Sequence, residues 1–278
     1  MFPLMTNDLA RRLEQIEASA MTSWATALEL PPSNPFQLRI NRVGKATAIV
    51  SRDLVLGSMF CRVLGYSDET SPSLAGLIDT FAREHSPLRI DLNPYNSTPG
   101  LLKELAAAKL RPVRHQSIVY APCAAPRLPD DDAPTTRVRV HPVASKEAAA
   151  FAKIWRETYA QTLGASPTAQ IDLSAATSSL HKTPGWNLYV ATVSGEPAAV
   201  AALFIHDNVG FLAMAGTLQQ YRGQGCQTAL IQQRLADAFQ NNCQLVTSVV
   251  DLGSTAQHNM ERAGLRVGYT RAYWVRFP

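Results

Sequence analysis

Apolar and polar positions alternate along this chain with two different periods, and the switches between them outline its elements. Residues 7 to 28 repeat at the helical spacing, and FQLRI (36–40) and ATAIV (46–50) then read as strands around the turn-like Arg42-Val43-Gly44. A further strand is expected within LVLGSMFCRVLGY (54–66). A helix follows from Pro72 to Glu84, with Ser71 as its cap and Pro72 in the first helical position. A strand at LRIDL (88–92), a helix over 98–109 and a strand at VRHQSIVY (113–120) complete the first half.

The stretch APCAAPRLPDDDAPTT (121–136) has neither period and is rich in Pro, Ala and Asp, so it reads as a linker. Beyond it, VRVHPV (138–143) is a strand. Residues 145–162 form a helix with Ser145 as candidate cap, and a second helix covers 171–181. NLYVATV, PAAVAALFI and GFLAMAGT follow in close order around Ser194-Gly195-Glu196 and His206-Asp207-Asn208, which predicts an antiparallel meander. Then come a helix over 225–240 with Ile231, Leu235, Ala238 and Phe239 on its apolar face, a strand QLVTSVV, and a helix over 254–263 stopped by Gly264. LRVGYTRAYWVRF closes the chain as a strand or hairpin. The expected class is mixed α/β (α+β) in two domains, 1–120 and 137–278, each a central, mostly antiparallel sheet flanked by helices. Both halves end in helix, strand, helix and closing strand, which suggests an internal duplication.

Length and composition fit this plan. At 278 residues the chain suffices for two cores, and no run approaches the roughly 20 apolar residues of a membrane span. The N-terminal residues carry no export-signal pattern. A net charge of +4 without dense basic runs argues against a nucleic-acid partner. Cys61, Cys123, Cys226 and Cys243 lie too far apart for a zinc site or a disulfide framework, so reduced thiols in a cytoplasm, and no metal, are expected.

The most informative run is TLQQYRGQGCQTALIQQRLADAF, which sets Gly223 and Gly225 between a meander strand and an amphipathic helix. Glycine permits close approach of the backbone to a ligand, and the first free amides of the helix face any anion there. The spacing fits neither the dinucleotide fingerprint nor the P-loop. Arg222-Gly223-Gln224-Gly225, followed by Cys226-Gln227-Thr228-Ala229-Leu230, resembles the acyl-CoA loop of the GNAT (N-acetyltransferase) superfamily. That loop has an Arg or Gln, two residues, Gly, one residue, then Gly or Ala. Read from Arg222, this chain departs from it at Gln227.

The resemblance covers residues 137–278 and, more weakly, 1–120. It implies a tandem-GNAT arrangement whose first copy is degenerate and lacks a coenzyme loop. It also implies acetyl-CoA as co-substrate, bound through Thr217, Leu218, Arg222, Gly223, Gln224, Gly225, Cys226, Gln227 and Thr228. The strand before the loop would carry a bulge, for which Gly216 is the candidate. The backbone of Thr217 and Leu218 would pair with the pantetheine arm, and one of their N-H groups would face the thioester oxygen. Ala256 and Asn259, on the later short helix, would approach the coenzyme. Met260 stands where many members place a tyrosine acid.

Direct transfer to an amine needs a base, for which Asp251 and Glu157 are the candidates, with His206 and His258 as weaker ones; Ser254 or Tyr269 could supply the returning proton. Arg271, with Tyr269 and Tyr273, would suit an acceptor bearing a carboxylate or a flat group, and packing explains these residues equally well. The function expected is N-acetyl transfer to a small-molecule amine by a monomer or homodimer. The alternatives are a silent GNAT-fold binding module and a transferase taking its acyl group from aminoacyl-tRNA.

Overall fold

A computed structural model describes residues 2–29, 37–52, 60–67, 73–125, 137–163 and 180–276. Within them the elements run α1 (Asn7–Glu29), β1 (Leu38–Val43), β2 (Ala46–Ser51), β3 (Arg62–Leu64), α2 (Leu74–Arg83), β4 (Arg89–Leu92), α3 (Pro99–Ala107) and β5 (Leu110–Pro122). They continue with β6 (Val138–Pro142), α4 (Ala148–Leu163), β7 (Trp186–Val193), β8 (Glu196–His206), β9 (Val209–Thr217), α5 (Cys226–Gln240), β10 (Leu245–Asp251), α6 (Thr255–Arg262) and β11 (Arg266–Arg276). The fold is mixed α+β. Its described strands hydrogen-bond in a single order, β1-β2-β3-β4-β11-β5-β10-β9-β8-β7-β6, so the two separate sheets expected from the sequence are not seen. No helix among the described residues is long and apolar enough to cross a membrane.

The chain divides into two compact units that are not contiguous in sequence. One, the N-terminal unit, holds Pro3–Ile118, Val250–Ser254 and Val267–Pro278; the other, the C-terminal unit, holds Met1–Phe2, Val119–Val249 and Thr255–Arg266. The closing strand β11, drawn into the second domain from the sequence, thus counts almost wholly with the first half. It pairs antiparallel with β4 from Ala272–Leu92 to Val275–Arg89, a single strand rather than a hairpin.

Local chemistry explains most element ends. The helix expected from Pro72 starts instead at Leu74: Ser73, not Ser71, is its cap and accepts a hydrogen bond from the Gly76 amide at 3.2 Å. Thr98 caps α3 through the Leu101 amide, with Pro99 in the first turn where its missing N-H is harmless. Ser145 begins a short 3-10 turn rather than capping α4, and Glu147 accepts from the Ala144 amide ahead of it. The meander turns place Ser194-Gly195 and Asp207-Asn208 at positive φ, the geometry that matches the twist of the strands they join. The helix expected over 171–181 falls almost entirely outside the described residues.

In the N-terminal unit, Ala48, Val50, Val63, Leu74, Leu77, Phe81, Ile90, Leu92 and Leu105 form one buried cluster. Beside it the apolar stripe of α1 is broken by two buried acids, Glu14 and Glu17. Arg271 of β11 grips Glu17 in a two-pronged pair (2.6 and 2.7 Å) and also bonds Gln116 at 3.0 Å. Arg62 bonds both Glu17 and Asp91, and Arg89 adds a second clamp on Asp91. The guanidinium of Arg89 also lies 3.4 Å over the Tyr273 ring. Burial alone would push Glu17 and Asp91 up; the surrounding arginines outweigh it and hold both below the ordinary carboxylate range. Glu14 accepts from the Gly65 amide and from the side-chain amides of Asn93 and Asn96 (3.1, 3.2 and 3.2 Å), yet burial dominates and raises it to about 7.

In the C-terminal unit, α5 packs on β7, β8 and β9, and α4 packs on β8 and β9. The face that α5 buries is Leu230, Ile231, Arg234 and Ala238, whereas Phe239 is exposed. Thr158 of α4 meets Gly216 so closely that a Cβ there would lie 2.0 Å from its Oγ1.

Two outcomes follow from these contacts. Gly216→Ala should lower stability by about 1–3 kcal/mol through overpacking against Thr158, read as a shift of the urea midpoint. Glu14 holds its proton to higher pH in the folded than in the unfolded chain, so its contribution to stability falls as pH rises from about 4.5 to about 7 and is constant above. Glu14→Gln should therefore gain on the wild type across that window, by on the order of 1–3 kcal/mol in paired urea titrations at pH 5 and pH 8. An equal gap at both pH values would contradict the assignment.

Candidate active site

Strand β9 runs into a short 3-10 turn (Gln219–Tyr221) and then into a loop whose two glycines both take left-handed backbone, φ 77° at Gly223 and 85° at Gly225. An L residue is strained there, which is why glycine is used. A Cβ at either would meet nothing within 4 Å, so the requirement is conformational and the surface in front of them is open. Gly225 is also the N-cap of α5 and offers no side-chain cap. The first amides of a 15-residue helix, with the positive end of its dipole, therefore lie behind that open surface, and the N-cap residue supplies no side chain to them.

Side chains around the loop are tied back. Gln227 donates to Thr217 Oγ1 at 2.8 Å, Gln224 donates to the Gln220 carbonyl at 3.2 Å, and Arg222 Nε reaches the Thr217 carbonyl at 3.5 Å. Cys226 is buried, with its thiol raised by desolvation, and Thr228 is exposed. The loop pattern also fits in a second register. With Gln220 in the first place, Gly223 and Gly225 occupy both glycine positions and no residue departs, whereas Gln227 lies inside the helix. Sliding the pattern over every Gln and Arg would have found Gln220 from sequence.

The strand before the loop does carry a bulge, two residues ahead of the expected Gly216. Ala213 pairs with Ala202 and Gly216 with Val200, so Met214 and Ala215 together oppose Ala201. Met214 has φ 51°, left-handed for a non-glycine residue. On the other side, β10 runs parallel to β9 only from Leu245–Val209 to Thr247–Phe211, after which no further pair forms. Ser248 closes the ladder by donating to the Leu212 carbonyl at 2.8 Å. Leu218 proves unsuited to pair with a ligand through its amide, because that N-H already donates to the Ala198 carbonyl at 3.0 Å. Antiparallel residues alternate between bonded and non-bonded pairs, so Thr217, opposite Ala199, directs its own N-H and C=O away from β8.

The sequence candidates fall in different units. The loop residues, Thr217, Leu218, Ala256, Asn259 and Glu157 belong to the C-terminal unit; Asp251, Ser254 and Tyr269 belong to the N-terminal unit. Glu157 is exposed on α4, next to the Thr158 that packs on Gly216. Asp251 is ion-paired with Arg114, and the Ser254 amide bonds the Asp251 carbonyl at 3.1 Å. Ala256 is exposed on α6, where Asn259 accepts from Arg262 at 3.2 Å and Met260 is buried. Tyr269 is buried edge-on against Tyr95, with no hydrogen-bond partner for its hydroxyl among the described residues; desolvation first, then the Glu14 charge, push its phenol up. Arg271, fully buried on Glu17, Asp91 and Gln116, is committed to internal partners and is not free to receive an acceptor carboxylate.

Residues 127–258 match the family model described as "Acetyltransferase (GNAT) domain". Among solved structures, a GCN5-related N-acetyltransferase from Kribbella flavida superposes with a TM-score of 0.63 at 18% identity, covering 94% of this chain and 95% of the other. A tandem GNAT protein from the clavulanic acid biosynthesis pathway gives 0.56 at 12% identity, with 92% and 94% covered. A GCN5-related N-acetyltransferase from Sphaerobacter thermophilus gives 0.53 at 16%, with 83% and 80% covered. No curated protein matches the sequence. The chain has the GNAT acetyltransferase fold, with a tandem-GNAT structural match over most of its length and the family's domain model in its C-terminal half.

Proposed function

We propose that this GNAT-fold chain is an acyl-CoA-dependent N-acyltransferase that moves acetyl from acetyl-CoA to the amine of a small molecule. The observation that carries this is the N-terminus of α5, without an N-cap side chain, behind two left-handed glycines and set beside a strand edge left open where β10 leaves β9. Amides of that type and number suit a diphosphate, and the open surface in front of Gly223 and Gly225 leaves it room.

In this reading the amides from Gly223 to Thr228 hold the pyrophosphate, with Arg222 adding charge. Thr217 offers its outward N-H and C=O to the pantetheine amides as a neighbouring strand would, and Ala256 and Asn259 flank the coenzyme from α6. The bulge at Met214 and Ala215 replaces Leu218 as the source of the N-H that meets negative charge developing on the thioester oxygen. The amine nitrogen attacks the acetyl carbon, a C–N bond forms, the C–S bond breaks, and coenzyme A leaves as thiolate. A thiol has an ordinary pKa near 8.5, so this leaving group needs little protonation near neutral pH. We assign removal of the amine proton to the exposed Glu157. Asp251 would have to give up Arg114 to serve instead.

One observation favours a second reading, a binding module without turnover: buried Met260 holds the place where the family resemblance leads one to expect a tyrosine acid. Release of free thiol from acetyl-CoA with any amine of a broad panel excludes that reading.

Isothermal titration with acetyl-CoA and with coenzyme A tests the assignment directly. Gly225→Glu, which puts a side chain and a negative charge on the diphosphate position, should weaken both by at least about 100-fold, the scale of a few lost charge-assisted hydrogen bonds. Unchanged affinity, or no binding by the wild type at millimolar ligand, sinks the proposal.

A further inference from the structure

Arg234 interrupts the buried stripe of α5 between Leu230 and Ala238 and is itself fully buried. No carboxylate among the described residues is paired with it. Its Nε donates to the Leu230 carbonyl at 3.0 Å, and its Nη1 is shared between the carbonyls of Ala202 on β8 (3.3 Å) and Ala213 on β9 (3.4 Å). Nη2 has no partner. Desolvation lowers its pKa to about 10, so it remains a cation at neutral pH. Burying a guanidinium without an acid is expensive, and an apolar residue of similar length would pack here more favourably. The charge is spent on the last paired residues before the bulge, Ala202 and Ala213.

That placement has a geometric consequence. Ala213 C=O and Met214 N-H belong to one planar trans peptide and point to opposite edges of it. A cation holding the carbonyl therefore fixes the direction of the amide, and it also withdraws electron density so that the amide donates more strongly. We propose that Arg234 is a positioning residue: through the Ala213 carbonyl it aims and polarises the Met214 amide at the site of the thioester oxygen. This rests on the acyl-CoA reading above. It adds that a buried side chain outside the coenzyme loop tunes the oxyanion donor.

The test uses acetyl-CoA carrying ¹³C at the thioester carbonyl, bound to the full chain, with isotope-edited infrared spectroscopy as readout and titration calorimetry for affinity. In the wild type the carbonyl band should move to lower wavenumber on binding. Arg234→Met should bind the thioester within about threefold of wild type, because the loop is untouched, yet lose most of that displacement. Arg234→Lys, which keeps the charge but not the fork, should give an intermediate band. With an accepted amine, Arg234→Met should show kcat reduced about 100-fold at nearly constant KM, as for loss of an oxyanion donor.

A wild-type band that does not move, or a variant band identical to the wild type, overturns the inference while leaving the proposed function standing. Failure of the wild type to bind the thioester removes both. If Arg234→Met does not fold, the wild-type band and the Arg234→Lys band still decide.

Discussion

The ladder between β9 and β10 stops at Phe211 and Thr247 while both strands continue, and the chemistry available to the C-terminal unit depends on that stop. Peptide groups of a strand require partners, so a strand that loses its neighbour must turn to solvent, side chains or a ligand. Ser248 satisfies the first freed carbonyl. The bulge at Met214 and Ala215 then re-aims the next peptides, and Thr217 turns its backbone away from β8. The glycine loop follows at once, so a row of strand amides continues into the amides of a helix N-terminus.

The N-terminal unit repeats the same plan with a different outcome. There β3, α2 and β4 correspond in order to β9, α5 and β10, and β3 runs parallel to β4 at the single pair Val63–Ile90. The groups just beyond those two strands are not left open. The Gly65 amide and the side chains of Asn93 and Asn96 converge on the Glu14 carboxylate, and Glu17, Arg62, Asp91, Arg89 and Arg271 extend the polar cluster beside it. Beyond one parallel pair the strands separate, whereas beyond the other the Gly65 amide and two asparagine side chains meet a carboxylate of helix α1.

Charges that ordinary sequence patterning places at the surface do the internal work in both units. Glu14 and Glu17 break the stripe of α1, and Arg234 breaks that of α5. In each case the reason is a set of backbone or side-chain groups brought there by other segments. Ion pairing holds Glu17 and Asp91 charged, and their contribution to stability is present above the unfolded carboxylate values and lost as pH falls. Glu14, with burial dominant, runs in the opposite direction.

Local signals in the sequence determined the meander, its two turns, the helix after Gly225 and the glycine pair, because a two-residue turn, an apolar period and a left-handed glycine are consequences of a few neighbouring residues. The same locality explains why the cap of α2 lies at Ser73 rather than at Ser71, a shift of two residues that one local period does not resolve. Only the tertiary structure decided that β11 pairs with β4, that the bulge falls at Met214 and Ala215 while Gly216 admits Thr158, that the Leu218 amide is already used, and that Arg271 is an internal partner of Glu17. Each of these depends on which distant segment arrives to meet a given group, and no period or spacing along the chain encodes that meeting.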